Sequence, residues 1–283
     1  MIYRREVDGL RAIAVIPVIL YHLQFSAFAG GYVGVDVFFV ISGYLITSVI
    51  SEDLEDGRFS LLEFYERRVR RILPALVFML AVCMLLAVLI LMPSSVRAAS
   101  GTLAAVALFA SNLRYFGQSG YFDPPEHLRL LLNTWTLGVD EQYYLVFPLF
   151  MLLASKWRKR LLTIVLAGLV AISLALAQWA AYNEPVWGFY LLPARGWELG
   201  LGGLAALYLA LRPAADWKHS WMQAFGLLGL ALIGWAVFTF DDHTPTPSVF
   251  TLLPTLGTVL IVLCASPTTL VGRLLGSRPL VGI

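Results

Sequence analysis

Residues 33–50 read VGVDVFFVISGYLITSVI, and Asp36 is the single charged side chain in this stretch. An apolar run of about 18 residues is long enough to cross the hydrocarbon core of a bilayer as one α-helix. The run shows neither the strict alternation of a membrane barrel strand nor the polar stripe of a soluble helix. The stretch therefore predicts a transmembrane helix.

The composition of the whole chain agrees with this stretch. Of the 283 residues, 59% are hydrophobic and 13% are charged, whereas a soluble domain carries about 25% charged residues. Disorder is excluded, because disordered chains combine low hydrophobicity with high net charge. The net charge of +2 gives no sign of a nucleic-acid partner. We therefore predict an all-α, polytopic transmembrane helical bundle in a lipid bilayer, without a nucleic-acid partner.

Nine apolar segments follow one another along the chain, and together they predict one integral membrane domain over residues 1–283. The segments are 10–28, 33–50, 72–93, 96–116, 135–154, 161–181, 188–211, 222–240 and 247–265. The chain reaches residue 283 just after the charged turn Ser277-Arg278-Pro279. Such a turn is typical of the approach to another span, so we expect further helices beyond it.

The distribution of lysine and arginine predicts the orientation of the chain. Arg4 and Arg5 precede the first segment, and five more arginines lie within residues 58–71. The loops 182–187 and 241–248 contain neither lysine nor arginine. Because short cytoplasmic loops are enriched in these residues, the pattern predicts a cytoplasmic N-terminus.

One basic cluster, Lys156 to Arg160, conflicts with this orientation if all five preceding segments cross the membrane. The weakest of those segments is 96–116, which contains Arg97, Asn112 and Arg114. Either this segment re-enters or lies at the interface, or the charge rule fails locally. The sequence leaves both alternatives open.

His22 is a polar residue late in the first apolar segment, eleven positions after Arg11. On an α-helix this spacing puts both side chains on one face, about 16 Å apart along the axis. His22 would then lie near the middle of the bilayer. Burying a polar side chain in hydrocarbon costs several kcal/mol unless it is paired. His22 is therefore either a packing histidine bonded to a neighbouring helix or a functional group.

Asp36 opens the second segment. Its carboxylate can pair with a histidine or a cation on an adjacent helix. Alternatively, it is an acidic residue that the helix dipole favours in the first turn. Both interpretations fit the sequence.

The sequence RRVRR at residues 67–71 forms the densest cluster of charge. On a helix the spacing of Arg67, Arg68, Arg70 and Arg71 predicts a cationic face, and guanidinium groups suit bidentate phosphate contacts. The alternative is plain positive-inside anchoring. Nearby acids such as Glu63 and those within 52–56 would neutralise a nonspecific lipid patch, which favours a specific site.

Polar side chains also enter two later segments. Glu141 and Gln142 stand directly before the apolar run 145–153, where the alternative to a site is an acidic helix start beside an aromatic belt. Arg195 and Glu198 lie inside the seventh segment. Because they are three residues apart, they can pair on one face of a helix.

These motifs, taken together, resemble the acyltransferase-3 membrane O-acyltransferases of bacteria. The resemblance rests on DGLRA at 8–12 with His22, GYVGVDVFFVISGYLI at 31–46, RRVRRILP at 67–74 and NTWTLGVDEQYYLVFP at 133–148, and more weakly on RGWELGLG at 195–202. Two positions depart from the family pattern, which often has His where this chain has Asn133 and Glu where it has Asp140. A catalytic role is therefore not expected at position 133.

The resemblance implies a multi-pass protein of the bacterial plasma membrane that takes an acyl group from cytoplasmic acyl-CoA. The acceptor would be a hydroxyl of a cell-envelope or surface carbohydrate, or of a lipid-linked glycan. Acyl-CoA, and acetyl-CoA in particular, would be the donor substrate, and no bound cofactor or metal is implied. Many relatives continue into further helices and an extracytoplasmic esterase-like domain.

The resemblance also assigns roles to residues. Arg11 and His22 match an arginine and histidine paired in the family's first helix, and Arg68 and Arg71 match a basic motif thought to meet the donor. A histidine exchanges its proton near neutral pH, so His22 could take the proton of the acceptor hydroxyl. Asp36 or Glu141 would then orient its ring.

The sequence allows either direct transfer or an acyl-histidine relay. It also leaves open a different class of protein, a transporter or flippase for a glycan or lipid-linked precursor. In that case His22, Glu141, Arg195 and Glu198 would line a pathway through the bundle.

Overall fold

The protein is helical throughout the part that the computed structural model describes, residues 3–118, 130–211 and 218–283. Its helices, named in chain order, are α1 (Arg5–His22), α2 (Gly34–Glu55), α3 (Leu61–Ile90), α4 (Pro93–Ala107), α5 (Ser111–Gly117), α6 (Trp135–Leu153), α7 (Lys159–Asn183), α8 (Pro185–Tyr190), α9 (Leu192–Leu211), α10 (His219–Thr239), α11 (Leu252–Cys264), α12 (Leu270–Leu275) and α13 (Arg278–Val281). No strand occurs among these residues, which confirms the predicted all-α class.

Within the described residues, five helical stretches are long and apolar enough to cross a membrane. They are Gly31–Glu55, Leu61–Ile90, Leu132–Lys156, Lys159–Asn183 and His219–Thr239. Five of the nine predicted apolar segments therefore correspond to long apolar helices within the described residues. The helices α1 and α9 carry charged residues inside them, and the apolar helix at Val249–Cys264 is shorter. Together with the apolar composition, these stretches make the chain a multi-pass membrane protein.

The segment 96–116 is not one continuous helix. It divides into α4 and α5, and Phe109 between them has a left-handed backbone with φ of 53°. The 15 residues of α4 extend over about 22 Å, which is shorter than the hydrocarbon core of about 30 Å. The weakest of the predicted spans is thus interrupted in the structure.

The first helix begins and ends earlier than its apolar segment, 10–28, predicts. It includes the charged residues Arg5, Glu6 and Asp8, and it ends at His22. The side chain of Arg4 explains the early start. It donates hydrogen bonds to the hydroxyl of Tyr44 and to the backbone carbonyl oxygens of Val262 and Ala265, at 3.0, 2.9 and 2.8 Å. The start of α1 is therefore fixed to α2 and to the end of α11.

The chain divides into two compact units, each with its own internal packing. The first comprises residues 1–52, 156–189 and 193–283, and the second comprises 53–155 and 190–192. One domain over the whole chain stays a prediction.

The core of the first unit is built from α1, α2 and α9 to α12. Buried apolar side chains from these helices form one cluster, which includes Leu10, Ile41, Ile233, Ile261 and Leu275. A smaller cluster joins α7 to α9 through Val170, Ala177 and Trp197.

The helices α2 and α9 approach each other through glycine. A methyl group on Gly43 would overlap the backbone carbonyl of Leu199, and one on Gly202 would overlap the carbonyl of Val40. Small residues let helix backbones come this close. This contact brings Asp36 on α2 to the same helix pair as Arg195 and Glu198 on α9.

The second unit consists of α3, α4, α5 and α6. The hydroxyl of Tyr65 on α3 donates a hydrogen bond of 2.9 Å to the carbonyl of Leu145 on α6. Only 11% of the most apolar window of α3 is buried, and its exposed side chains include Phe78, Leu85 and Leu89. An apolar face of this length is suited to lipid contact.

Candidate functional site

The polar residues singled out from the sequence fall into separate clusters. His22, Asp36, Arg195 and Glu198 belong to the first unit, and Arg68, Glu141 and Gln142 belong to the second. Each cluster is described below within its own unit.

His22 is the last residue of α1, and its side chain is exposed. Its Nδ1 lies 2.7 Å from the carbonyl oxygen of Val18, one turn earlier. A carbonyl oxygen only accepts hydrogen bonds, so Nδ1 is the ring nitrogen that carries the hydrogen of this bond.

The exposed helix end corrects the expectation that His22 lies halfway along a span. The apolar segment continues to residue 28, but α1 stops at His22 because the chain turns there, and Gln24 has a left-handed backbone with φ of 58°. Arg11 is also exposed, and its guanidinium lies 3.9 Å from the carboxylate of Asp8. The two residues stay on one continuous helix, as predicted.

The carboxylate of Asp36 pairs with a cation rather than with His22. Nη1 of Arg195 donates to Oδ1 of Asp36 at 2.8 Å and to Oε1 of Glu198 at 3.1 Å. The predicted pairing of Arg195 with Glu198 is confirmed. The hydrogen bond that orients the His22 ring comes instead from the backbone of α1.

This buried cluster is held on every side by protein. The side chains of Arg195 and Asp36 are each 2% exposed, and that of Glu198 is 0% exposed. Nε of Arg195 also donates to the carbonyl of Phe189 at 3.1 Å, and its guanidinium lies over the Phe189 ring. The guanidinium of Arg195 is thus the shared cation for two buried carboxyl groups.

In the second unit, Arg68 is enclosed between a carboxylate and an aromatic ring. Its Nη2 donates to Oε1 of Glu141 at 3.1 Å, and its guanidinium carbon lies 3.4 Å from the centre of the Tyr144 ring. The side chains of Arg68 and Glu141 are 21% and 15% exposed. The buried Nε of Arg68 has no hydrogen-bond partner in the described structure, so it is a donor that a ligand could satisfy.

Arg68 and Glu141 line a pocket of about 400 Å³ that lies wholly within the second unit. Most of the pocket wall is apolar. The other residues that line it come from α3, from the region around the α4–α5 break and from α6: Tyr65, Val69, Ile72, Leu73, Leu108, Phe109, Ala110, Leu113, Gln142, Tyr144 and Leu145. An apolar pocket with a few convergent polar groups is the usual form of a small-molecule site. The break between α4 and α5 contributes part of the wall.

Gln142 holds that break in place. Its amide exchanges hydrogen bonds with the amide of Asn112, at 2.8 and 3.2 Å, and it donates to the carbonyl of Phe109 at 3.3 Å. Asn112 is fully buried and also donates to the carbonyl of Tyr190. Gln142 therefore positions the pocket wall through its hydrogen bonds.

The four arginines of the RRVRR sequence do not share one face. Arg68 faces the pocket, whereas Arg67, Arg70 and Arg71 are exposed. Arg67 pairs with Asp53 at 3.2 Å and Arg70 pairs with Glu66 at 2.7 Å. With Arg68 paired to Glu141, carboxylates neutralise three of the four guanidinium groups, and the donor-binding role of Arg67, Arg70 and Arg71 stays a prediction.

Sequence reasoning missed three contributors to these sites. The Tyr144 ring and the Asn112 amide were visible only as parts of longer motifs, and the Val18 carbonyl that orients His22 is a backbone group. A buried asparagine inside a weak apolar segment is the one signal that could have indicated the break at Phe109.

Comparisons with known proteins agree with the family resemblance found in the sequence motifs. A family model described as an acyltransferase domain matches residues 4–279. Over 98% of its length the chain is 31% identical to the peptidoglycan O-acetyltransferase OatA of Listeria monocytogenes, of which it covers 46%. Over 62% of its length it is 39% identical to the O-acetyltransferase OatA of Staphylococcus aureus, of which it covers 29%. The chain thus spans less than half the length of these relatives. No solved structure matches it significantly.

The family match includes both units and every residue discussed above, since it runs from residue 4 to residue 279. It confirms the resemblance drawn from the motifs around His22, Asp36, Arg68, Glu141 and Arg195. The chain belongs to the acyltransferase-3 family.

Proposed function

We propose that this chain forms the membrane part of an O-acetyltransferase. The enzyme would transfer an acetyl group from acetyl-CoA to a hydroxyl of peptidoglycan. Two relatives named as O-acetyltransferases, one of them specifically for peptidoglycan, support this activity and acceptor. The use of acetyl-CoA from the cytoplasm, and a location in the plasma membrane with a cytoplasmic N-terminus, belong to the same proposal.

The observation that carries the chemistry is the hydrogen bond from His22 to the carbonyl of Val18. It leaves Nε2 as the basic nitrogen on an exposed face. In the proposed step, Nε2 takes the proton of the acceptor hydroxyl while the hydroxyl oxygen attacks the thioester carbonyl carbon. The carbon–sulfur bond then breaks, and the CoA thiolate leaves with the proton that His22 returns.

The pocket around Arg68 is the proposed donor site. Its apolar wall suits the uncharged arm of an acyl-CoA, and the guanidinium of Arg68 suits a phosphate or carbonyl oxygen. Glu141 is the anionic partner of Arg68 in the structure. We therefore assign Glu141 the role of counter-ion to Arg68, in place of the ring-orienting role expected from the sequence.

A transporter or flippase receives less support. Such a protein would need polar groups along a pathway, but Arg195 is buried and paired with both Asp36 and Glu198, which are buried too. Their arrangement favours a fixed polar cross-link between α2 and α9.

Replacement of His22 by alanine tests this function. Loss of the general base should lower peptidoglycan O-acetylation at least about a hundredfold per molecule of protein. The full-length variant is expressed, quantified in membranes, and assayed for acetyl-CoA consumption and for acetylated glycan. His219→Ala, an exposed histidine at the start of α10, is the matched control and should keep its activity.

A packing histidine would give the opposite pattern, with less His22→Ala protein in the membrane and nearly normal activity per folded molecule. Failure of the unmodified protein to consume acetyl-CoA in the presence of peptidoglycan would reject the proposed function itself.

A further inference from the structure

A cluster of partly exposed aromatic rings and exposed acidic side chains lies at the end of α1. The hydroxyl of Tyr21 donates to Oδ1 of Asp242 at 2.9 Å, and the hydroxyl of Tyr32 donates to the carbonyl of Asp241 at 3.2 Å. The rings of Tyr21 and Tyr32 meet edge to face, with centres 5.6 Å apart, and the ring of His22 lies 5.4 Å from that of Tyr21. The Tyr21 side chain thus links His22 to the Tyr32 ring and to Asp242.

The acidic loop in this cluster has a defined conformation. Oδ1 of Asp241 accepts hydrogen bonds from the hydroxyl of Thr244 and from the backbone N–H of His243. These hydrogen bonds, of which the one from Thr244 has the largest effect, lower the pKa of Asp241 below its ordinary value, so its carboxylate stays ionised. Asp242 is also exposed. The cluster therefore presents negative oxygen acceptors to the solvent.

The cluster projects past the start of the neighbouring helix. Gly31 lies against the backbone of Pro17, and Gly34 lies against that of Ala14, so α2 begins beside the third and fourth turns of α1. His22 is about one turn further along. It therefore stands clear of the packed part of the α1–α2 pair, at the end opposite Arg4.

We infer that Tyr21, Tyr32 and Asp242 bind the saccharide acceptor beside His22. This inference rests on the proposed function and adds the residues that recognise its acceptor. Sugars offer two kinds of surface, apolar C–H faces and hydroxyl groups. Tyrosine rings pack against the first, and ionised carboxylates accept strong hydrogen bonds from the second. A hydroxyl held by the Tyr21 ring and Asp242 would lie beside the residue next to Tyr21, His22, which the proposed function makes the base.

The experiment measures saccharide binding without turnover. The purified chain in detergent is titrated with the peptidoglycan disaccharide of N-acetylglucosamine and N-acetylmuramic acid, in the absence of acetyl-CoA. Tyr21→Ala and Asp242→Asn should each weaken the affinity at least about fivefold, since each removes a ring contact or a charged hydrogen bond. Tyr182→Ala and Glu184→Gln alter an exposed tyrosine and an exposed acid at the end of α7, and they should bind as the unmodified chain does.

Unchanged affinity in both cluster variants, with binding by the unmodified chain intact, overturns the inference and leaves the proposed activity standing. Absence of disaccharide binding by the unmodified chain also overturns it. Thermal unfolding of each variant is measured alongside, and a loss of affinity in Asp242→Asn at unchanged stability supports the site. A failure of acetyl-CoA consumption, measured separately, concerns the proposed function alone.

Discussion

Arg68 is the residue on which the proposed donor site depends. Its guanidinium lies over the Tyr144 ring and is paired with Glu141, and its buried Nε has no partner among the described residues. A cation in a partly buried site needs a counter-ion, because desolvation without one costs several kcal/mol. Glu141 meets that need in the structure, and in the proposed function a donor anion competes with it.

The donor site is tested by comparing two arginines of the same motif. Arg68→Ala should weaken the binding of acetyl-CoA about tenfold, because a charged hydrogen bond contributes about 1.5–3 kcal/mol. Arg70→Ala is the matched control. Arg70 is exposed and paired with Glu66 outside the pocket, so its loss should change the affinity little. Calorimetric titration of the purified variants measures both.

A third variant tests whether donor affinity can also be raised. Glu141→Gln removes the competing carboxylate but keeps the shape of the side chain, so donor affinity should rise while Arg68→Ala lowers it. Equal affinities for Arg68→Ala and Arg70→Ala would mean that the motif acts only as an anchor at the membrane surface.

The buried arginine shows what sequence spacing can and cannot predict. The separation of Arg195 and Glu198 by three residues predicts their contact, because residues so spaced share a helix face. The third member, Asp36, lies far away in the sequence, and its choice between a cation and a histidine depends on which helices are neighbours. No pattern within either helix carries that information.

At the scale of helices, the closest approach is that of α2 and α9. Gly43 and Gly202 lie where a side chain would overlap the facing backbone, so the contact leaves no room for even one methyl group. The contact also sets the distance across which Asp36 reaches Arg195. Packing and the buried ion pair therefore depend on each other.

Gly43→Ala should separate these helices and destabilise the protein by about 1–3 kcal/mol, as overpacking of a tight contact does. The expected result is a lower yield of folded protein and a lower unfolding temperature in detergent. Gly168→Ala is the control, because a methyl group at this position on α7 has nothing within 4 Å. Similar unfolding temperatures for the two variants would show that the α2–α9 contact is looser than the structure has it.

Helix boundaries proved harder to predict than helix identity. Apolar runs located most helices correctly, but α1 is displaced from its apolar segment because polar contacts of Arg4 and the turn after His22 fix its ends. The break at Phe109 is likewise held by the amides of Asn112 and Gln142. Such boundaries depend on hydrogen bonds between distant segments, which hydropathy does not record.

At the scale of the whole chain, the short helices α4 and α5 remove the conflict over Lys156. If neither crosses the membrane, then α1, α2, α3 and α6 make an even number of crossings before that residue. Lys156 then lies on the same side as the N-terminus, as the distribution of basic residues requires. This topology is an expectation from the chain order and the helix lengths.

Charge is segregated between the two ends of the first unit. Arg4 contacts the end of α11, and Gly9 near the start of α1 packs against α12, which carries Arg273. The opposite end carries the acidic residues Asp241 and Asp242, one of them hydrogen-bonded to Tyr21. By the positive-inside rule, we expect the end with the arginines to face the cytoplasm.

Single cysteines at the two ends of the first unit test this orientation. His243 lies in the acidic loop after α10, Thr268 lies just before α12, and both are exposed. The native thiols are first removed as Cys83→Ala and Cys264→Ala. A membrane-impermeant maleimide should then label His243→Cys in intact spheroplasts, whereas Thr268→Cys should react only after the membrane is permeabilised. Labelling in the reverse order would show that the chain has the opposite orientation in the membrane. His22 would then lie on the cytoplasmic side, where a glycan acceptor outside the cell could not reach it.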